Sequence, residues 1–155
     1  MVAFRPFEPG DEIAFRELNE AWITRHFSLE EADRDVLGNP ARHILQPGGR
    51  ILMATKDGRA VGCCALLAME PGVFEIGKMT VHEDYRGLGI GKRLLRAVVD
   101  LATGMGATRL YLESNGRLQD AIHLYEAVGF RHLPPERVQP SPYSRSNVYM
   151  ELKLG

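Results

Sequence analysis

The stretch that decides the fold of this chain is Glu75-Ile-Gly-Lys-Met-Thr-Val-His-Glu-Asp-Tyr-Arg-Gly-Leu-Gly-Ile-Gly-Lys92. It predicts a strand, a glycine-rich turn and the start of a helix that runs to about Gly104. A turn of this kind directs several backbone N–H groups toward one point, in front of the positive end of the helix dipole. Because Arg86, Lys92 and Arg93 add positive charge around the turn, we first infer a bound phosphate or pyrophosphate.

The size and charge of the chain narrow the class of protein. Its 155 residues fit one domain, residues 1–155, and its 45% hydrophobic and 25% charged residues are typical of a soluble globular protein. The net charge of -1 argues against nucleic acid as the main partner. No apolar run approaches the roughly 20 residues that span a bilayer, and the first residues do not resemble a signal peptide. We therefore expect a cytoplasmic protein with no membrane partner.

The first part of the chain predicts one strand and two helices. Val2 to Phe7 forms the strand, and Asp11 is placed to cap a helix that ends near His26. A second, short helix follows, with a capping box formed by Ser28 and Glu31. The apolar stripe of this helical pair is thin, so we expect a flap over the core.

Three strands follow and predict an antiparallel meander: Ile51 to Thr55, Ala60 to Ala68, and Val73 to Val81. Asp57-Gly58 between the first two is a strong signal for a two-residue hairpin turn. The second strand contains the adjacent cysteines Cys63 and Cys64. Neighbours in a strand point to opposite faces, so we expect free core thiols in a reducing compartment.

The remaining pattern alternates helix and strand. A strand from Thr108 to Ser114 follows the central helix closely, and this spacing predicts a right-handed crossover with the two flanking strands parallel. Another helix runs from Leu118 to Ala127, and the last strand from Asn147 to Leu152. If that last strand is an exposed edge, a homodimer becomes an option. The fold class is α/β, with a mixed, mostly antiparallel sheet and a central parallel pair.

Three glycine patterns compete for the turn. A Walker-type loop fails, because Arg86 and Arg93 stand where a glycine and a hydroxyl residue are needed. The Rossmann fingerprint fails, because Lys92 or Leu94 occupies its third glycine position. The third pattern, Arg-x-x-Gly-x-Gly, is met by Arg86, Gly89 and Gly91. Because the other two patterns fail, both nucleotide-binding interpretations are excluded.

The segment Arg86-Gly87-Leu88-Gly89-Ile90-Gly91 resembles the pyrophosphate loop of the GNAT superfamily of acyl-CoA-dependent N-acyltransferases. Downstream, Ala121-Ile-His-Leu-Tyr-Glu-Ala-Val-Gly-Phe130 resembles the family helix that ends in a tyrosine followed by Gly-Phe. The resemblance covers nearly the whole chain. It implies a GNAT fold with about four helices around the sheet, acetyl-CoA as donor and a small-molecule primary amine as acceptor, without a metal.

The family also implies where the cofactor binds. The pyrophosphate would lie on backbone N–H groups of the turn, and the pantetheine arm would lie between the two parallel strands. Many members carry an asparagine seven residues before the tyrosine; here that position is Leu118, and Asn115 is the nearest substitute. The residues assigned to the cofactor in this way are Met79, Thr80, Val81, Arg86, Gly87, Leu88, Gly89, Ile90, Gly91, Lys92 and Asn115.

Glu75 is the candidate general base, because several family members carry a catalytic glutamate six residues before the position of Val81. The alternative is a surface charge at the start of a strand. Strict alternation places Glu75 on the same side as Met79 and Val81, although a bulge would reverse this. Glu113 is the second candidate, unless it pairs with a neighbouring arginine, Arg109 or Arg117.

Tyr125 matches the family tyrosine that returns a proton to the CoA thiolate. Its alternative is an aromatic core residue on the helix face of Ile122. Tyr143 and Arg145 lie in a late polar loop and either read an acidic group on the acceptor or are solvated. Trp22, near the end of the first helix, is expected in the core. The five histidines show no metal-ligand spacing, so we expect no metal site.

Two classes of function fit these features. The first is an N-acetyltransferase that transfers the acetyl group by direct attack of an amine in a ternary complex, with protein lysine or an N-terminus as other acceptors. The second is a non-catalytic CoA-binding module. Release of thiol from acetyl-CoA in the presence of amines separates the two.

Overall fold

The computed structural model describes residues 1–138 and 140–155 and contains a seven-stranded sheet flanked by four α-helices. The strands are β1 (Val2–Pro6), β2 (Arg50–Lys56), β3 (Arg59–Glu70), β4 (Val73–Val81), β5 (Arg109–Ser114), β6 (Arg131–His132) and β7 (Val148–Lys153). The helices are α1 (Glu12–His26), α2 (Glu31–Gly38), α3 (Ile90–Gly104) and α4 (Gln119–Val128). Short helical turns at Ala41–Leu45, Glu83–Tyr85 and Pro135–Arg137 complete the elements. None of the described helices is long and apolar enough to cross a membrane.

The strand order is β1-β2-β3-β4-β5-β7-β6, and the only parallel pair among the described strands is β4 with β5. The predicted meander and the predicted parallel pair are both confirmed. The hairpin turn is confirmed as well, since Asp57 and Gly58 both have positive φ angles, 52° and 78°. That conformation matches the right-handed twist of the strands it joins.

The last strand is not an edge of the sheet. β7 lies between β5 and β6, and Met150 and Glu151 pair with the two residues of β6. Beyond these, the backbone N–H of Leu133 donates to the carbonyl oxygen of Tyr149. The expectation of an exposed C-terminal strand, on which a homodimer depended, is therefore wrong.

Two hydrophobic cores lie on opposite faces of the sheet. Alternate residues of β2 enter different cores, as a strand with side chains on both faces requires: Leu52 joins the core under α3, and Ile51 joins the core under α1 and α2. The second core buries Phe15 and Ile23 of α1 and Leu37 of α2. The helical pair is thus part of the core, and its description as a thin flap is wrong.

The helix starts also differ from the expectation. Asp11 is the N-cap residue of α1, as expected, but its side chain makes no capping hydrogen bond. Its carboxylate instead accepts two hydrogen bonds from Arg5, at 2.7 and 3.0 Å, and one from the backbone N–H of Glu8. The capping box of α2 is formed by Glu30 and Asp33. The helix starts two residues later than a box of Ser28 and Glu31 would place it, and this shift puts Asp33 in the first turn.

Gly49 marks a point where the chain is too close to its neighbours for a side chain. A Cβ atom there would overlap the carbonyl oxygen of Leu66 and lie 2.5 Å from that of Ile44. We expect Gly49→Ala to lower the free energy of unfolding by about 2 kcal/mol or more, because backbone atoms would have to shift. Denaturant unfolding measures this. Gly104→Ala at the end of α3, where a Cβ meets nothing within 4 Å, should leave stability unchanged or slightly raised, and an equal loss in both variants would contradict the packing argument.

Candidate active site

The site is built around the separation of two parallel strands. β4 and β5 pair from Val73 with Arg109 to Ile76 with Leu112, and no further. Both strands continue past that point, β4 to Val81 and β5 to Ser114. A cavity of about 590 Å³ occupies the gap, with residues of α1 and α2 on one side and of α4 on the other.

A β-bulge in β4 decides which way its side chains point. Lys78 and Met79 together stand opposite Cys64, because Cys63 pairs with Thr80 and Ala65 pairs with Gly77. Lys78 adopts a φ of +50°, which an ordinary residue rarely holds. One extra residue reverses the alternation beyond it.

The bulge therefore corrects the expected side of Glu75. Glu75 pairs with Leu67 on the face that carries α1 and α2, whereas Met79 packs into the core under α3. Glu75 and Met79 lie on opposite faces of the sheet, not on the same side as strict alternation predicted. Both still border the cavity, because the gap opens to both faces.

The backbone beyond the bulge presents hydrogen-bond donors to the gap. The N–H of His82 donates to the carbonyl oxygen of Val61 in β3. Successive N–H groups of a strand point to opposite sides, so the N–H groups of Val81 and Met79 point away from β3 and into the gap. Thr80, which pairs with Cys63 and is buried, turns its N–H toward β3.

The glycine turn has the conformation that an anion site needs. Gly87 and Gly89 have φ angles of +77° and +78°, and α3 begins directly after them. Within the described residues, the N–H groups from Leu88 to Lys92 donate no hydrogen bond, and the first intrahelical bond is that from Arg93 to Gly89. Leu88 and Lys92 themselves are exposed beside the mouth of the cavity, and Gly91 lines it.

The arginines around the turn are held in place. Arg86 borders the cavity and donates through Nε to the carbonyl oxygen of Val81 at 3.0 Å. Arg93 donates to the carbonyl oxygen of Val2 and lies over the ring of Phe4, so its guanidinium is held against β1. Ile90 is buried against β2 and β3 and anchors the start of α3.

Glu75 is an unusual carboxylate. It is partly buried, and no residue in the described part of the chain donates a hydrogen bond to its side chain. Burial and the nearby charge of Glu113 raise the pKa of Glu75 to about 7, while Lys78 opposes the shift. A carboxylate with this pKa can take up a proton near neutral pH.

Glu113 is engaged by the late loop rather than by an arginine. Its carboxylate accepts hydrogen bonds from Ser141 and Ser146, the second at 2.8 Å, and from the hydroxyl of Tyr111 at 3.4 Å. The suggested pairing of Glu113 with a neighbouring arginine is wrong: Arg109 pairs with Glu151, and Arg117 lies over Phe27. Glu113 anchors the loop through three hydrogen bonds, and it forms no ion pair with any described residue.

Tyr125 lies on the opposite side of the gap from Glu75. It is partly buried, lines the cavity and packs edge-to-face on Phe130, with ring centroids 6.1 Å apart. Burial, with a smaller effect from Cys64, raises the pKa of its phenol, so the hydroxyl keeps its proton. The residue is thus both a core aromatic and a cavity-lining acid.

Asn115 borders the cavity but both ends of its amide are engaged. Its nitrogen donates to the carbonyl oxygen of Arg145 at 2.7 Å, and its oxygen accepts from the backbone N–H of Arg117 at 2.9 Å. Asn115 therefore ties the late loop to the end of β5. Leu118, at the position of the family asparagine, lines the same cavity.

A buried ion cluster closes one side of the cavity, and no pattern in the sequence predicts it. Asp33 is fully buried and accepts from Lys78 at 2.6 Å and from Arg145 at 2.7 Å through each of its oxygens. Burial alone would raise the pKa of Asp33, but these hydrogen bonds hold it below its ordinary value. The ring of Tyr143 lies 4.5 Å from both cations. The interpretation of Tyr143 and Arg145 as solvated loop residues is wrong.

Trp22 of α1 packs at the border of the second core and also lines the cavity, together with Phe27. Its ring centroid lies 6.4 Å from that of Phe27 and 5.1 Å from that of His26. The expectation that Trp22 is simply a core residue is incomplete, because its position at the end of α1 gives it a second, cavity-facing role.

Comparison with known proteins identifies the family. The sequence model of the acetyltransferase (GNAT) family matches residues 11–130. The chain belongs to the GNAT family. An uncharacterised N-acetyltransferase of Schizosaccharomyces pombe is 31% identical over 123 residues, which are 78% of this chain and 74% of that protein.

Two further comparisons show how far the GNAT likeness extends. An N-acetylaspartate synthetase of Homo sapiens is 35% identical over 92 residues, which are 59% of this chain and 30% of that protein. A GNAT-family acetyltransferase of Staphylococcus aureus has a TM-score of 0.90 at 20% identity, over 100% of both chains. The chain is thus an acetyl-CoA-dependent acetyltransferase with the GNAT fold.

The raised pKa of Glu75 makes a prediction about stability. Protonated Glu75 contributes to the free energy of unfolding, and this contribution is fully present below the ordinary pKa of 4.5. It is lost as the pH rises through about 7, because the folded state then holds a desolvated charge. The full loss is at most roughly 3 kcal/mol. We expect Glu75→Gln to reduce the fall in unfolding free energy between about pH 5 and pH 8.

Denaturant unfolding at both pH values measures this, and the difference between them cancels effects of the substitution that do not depend on pH. Glu70→Gln, at an exposed position of β3, is the matched control and should leave the fall unchanged. The same pH dependence in wild type and Glu75→Gln would contradict the assignment of the shift to Glu75.

Proposed function

We propose that this GNAT protein transfers the acetyl group of acetyl-CoA to a primary amine by direct attack within a ternary complex. The observation that carries the proposal is that a single cavity joins the donors of the turn, the open edge of β4, a carboxylate and a phenol. Glu75 and Tyr125 lie on its opposite sides. Direct attack needs an acid and a base on opposite sides of the reacting carbonyl carbon, and the cavity offers both.

The proposed acyl donor, acetyl-CoA, binds with its pyrophosphate at the glycine turn. The free N–H groups from Leu88 to Lys92, with the helix dipole of α3 behind them, bind the pyrophosphate. Gly87, Gly89 and Gly91 let the backbone approach it, and Arg86 adds charge. The pantetheine arm extends β4 in place of the missing strand pairing, with Met79 and Val81 as its main-chain partners and Thr80 between them. Asn115 contributes by holding the loop that borders the arm.

The chemistry then requires three proton transfers. The acceptor arrives as an ammonium ion and gives a proton to Glu75, directly or through water, so that its nitrogen lone pair can attack the acetyl carbonyl carbon. The N–H of Val81 stabilises the oxyanion that forms. When the carbon–sulfur bond breaks, the thiolate takes the proton of the Tyr125 hydroxyl. The nitrogen, which still carries one proton more than the amide, gives that proton through water to the Tyr125 phenolate, so that neutral amide and CoA leave and Glu75 returns its proton to the solvent.

The base assignment predicts the pH dependence of turnover. In wild type, kcat/KM should rise with pH through about 7, because Glu75 must be ionised to accept the proton. Glu75→Gln should lower kcat/KM by about 10²- to 10⁴-fold and remove this rise. Thiol release from acetyl-CoA with a saturating amine, followed over a pH series, measures both effects. If Glu75→Gln kept the wild-type profile, Glu75 would not be the base.

The acid assignment predicts a separation of binding from turnover. Tyr125→Phe removes only the hydroxyl, and Phe130 still packs on the ring, so acetyl-CoA should bind with nearly unchanged Kd. The kcat should fall by about 10²-fold or more, because the thiolate then leaves without an internal acid. Calorimetric titration with CoA and steady-state kinetics measure the two quantities. Tyr149→Phe in β7 is the matched control, and unchanged turnover in Tyr125→Phe over the whole pH series would refute the role.

A further inference from the structure

The cavity has an acceptor side, defined by Trp22, Phe27, Val36, Leu67, Glu75 and Glu113. These residues lie on the face of the sheet that carries α1 and α2. Four of the six are apolar or aromatic, and two are carboxylates. The composition suits a molecule with an apolar body and a positively charged end.

The two carboxylates carry the free charge of this side. Neither Glu75 nor Glu113 forms an ion pair with any residue in the described part of the chain. They are close enough that the charge of Glu113 raises the pKa of Glu75. An ammonium group is attracted to such a pair, and a second anion is repelled.

The cations on the same side are already neutralised. Lys78 and Arg145 are 8% and 17% exposed, and both bind the fully buried carboxylate of Asp33. Glu30 adds a second carboxylate at 3.4 Å from Arg145. The positive charges of Lys78 and Arg145 are thus balanced by the negative charges of Asp33 and Glu30, and the cluster has no net charge that would attract an acidic substrate.

Among the described residues, two arginines without an ion pair, Arg86 and Arg117, lie beside Trp22 and Phe27 rather than beside the two carboxylates. Arg86 donates to the carbonyl oxygen of Val81 beside the glycine turn, where we place the pyrophosphate.

The charges that act on Glu75 are those of Glu113 and of Lys78, which is already paired with Asp33. A carboxylate attached next to the reacting amine would therefore meet Glu75 and Glu113, with no unpaired cation beside them among the described residues. Burying it there would also require removal of its water.

We infer that the acceptor is a primary amine with an apolar body and no carboxylate beside its amino group, and that Asp33 determines this preference. Asp33 acts by occupying Lys78 and Arg145, which would otherwise bind an acidic acceptor. The inference rests on the proposed function for its location, and it adds the chemical class of the substrate.

A matched pair of acceptors tests the inference directly. 2-Phenylethylamine and L-phenylalanine differ by one carboxylate, and L-aspartate carries two with no apolar body. Wild type should show a kcat/KM for 2-phenylethylamine at least about tenfold above that for L-phenylalanine, the size expected for like charges a few ångströms apart in a partly buried site. Equal or higher activity with L-phenylalanine or L-aspartate would overturn the inference.

A substitution tests the role of Asp33. Asp33→Asn leaves one or both cations free, so the preference for 2-phenylethylamine should fall at least about fivefold, mainly through a lower KM for L-phenylalanine. Asp35→Asn, an exposed residue of the same helix, should keep the wild-type preference. If a folded Asp33→Asn protein keeps that preference, Asp33 is not the determinant. If circular dichroism shows that it does not fold, the wild-type comparison decides the substrate class alone.

Binding separates this inference from the proposed function. Trp22 is the only tryptophan of the chain and lines the acceptor side, so its fluorescence reports acceptor binding without turnover. A change with 2-phenylethylamine but not with L-phenylalanine supports the inference even if no amine releases thiol, a result that would refute the proposed function alone. Turnover of other amines with no fluorescence change on adding 2-phenylethylamine would overturn the inference and leave the proposed function standing.

Discussion

The end of one hydrogen-bonded ladder is the constraint on which the site depends. β4 and β5 are held together only as far as Ile76 and Leu112, while the sheet continues on both sides through β3 and β7. The two strands then separate, and backbone donors of β4 are left without a strand partner. Unpaired donors inside a protein are unfavourable unless water or a ligand binds them, so the gap offers these donors to the donor substrate that we propose for it. The turn after Val81 adds further free backbone N–H groups, which lie at the start of α3.

The parts of this arrangement that follow from local rules could be predicted from the sequence. The strand, glycine turn and helix of residues 75–104 depend on backbone preferences and on the period of the apolar residues, and all three lie where the sequence placed them. The parallel pairing follows from a short crossover. The position of Tyr125 on α4 follows from helix spacing and from Gly129, whose φ of +115° ends that helix. These features need no knowledge of distant contacts.

The parts that depend on distant contacts could not be predicted. A bulge at Lys78 has no sequence signal, since a lysine at φ +50° is held by its ion pair with Asp33 45 residues away. That contact in turn depends on Asp33 entering the first turn of α2, where the capping box was expected two residues earlier. The bulge sets the faces of Met79 and Val81 relative to Glu75. Asp33 also orients the late loop through Arg145 and, with Glu30, neutralises the two cations of the acceptor side. Ionising Glu75 in this partly buried site weakens the fold, and the same raised pKa suits the base that we propose there.

Backbone amide shifts on donor binding test the central claim, that acetyl-CoA occupies the gap between β4 and β5. In a nitrogen-15 correlation spectrum, CoA should shift the amides of Met79 and Val81 and those of the turn from Leu88 to Lys92. The amide of Thr80, which points to β3, should move less than its two neighbours. That alternation along one strand is specific to a ligand that extends the ladder. Saturating CoA that leaves Met79 and Val81 unchanged, with shifts confined to other surfaces, would contradict the account.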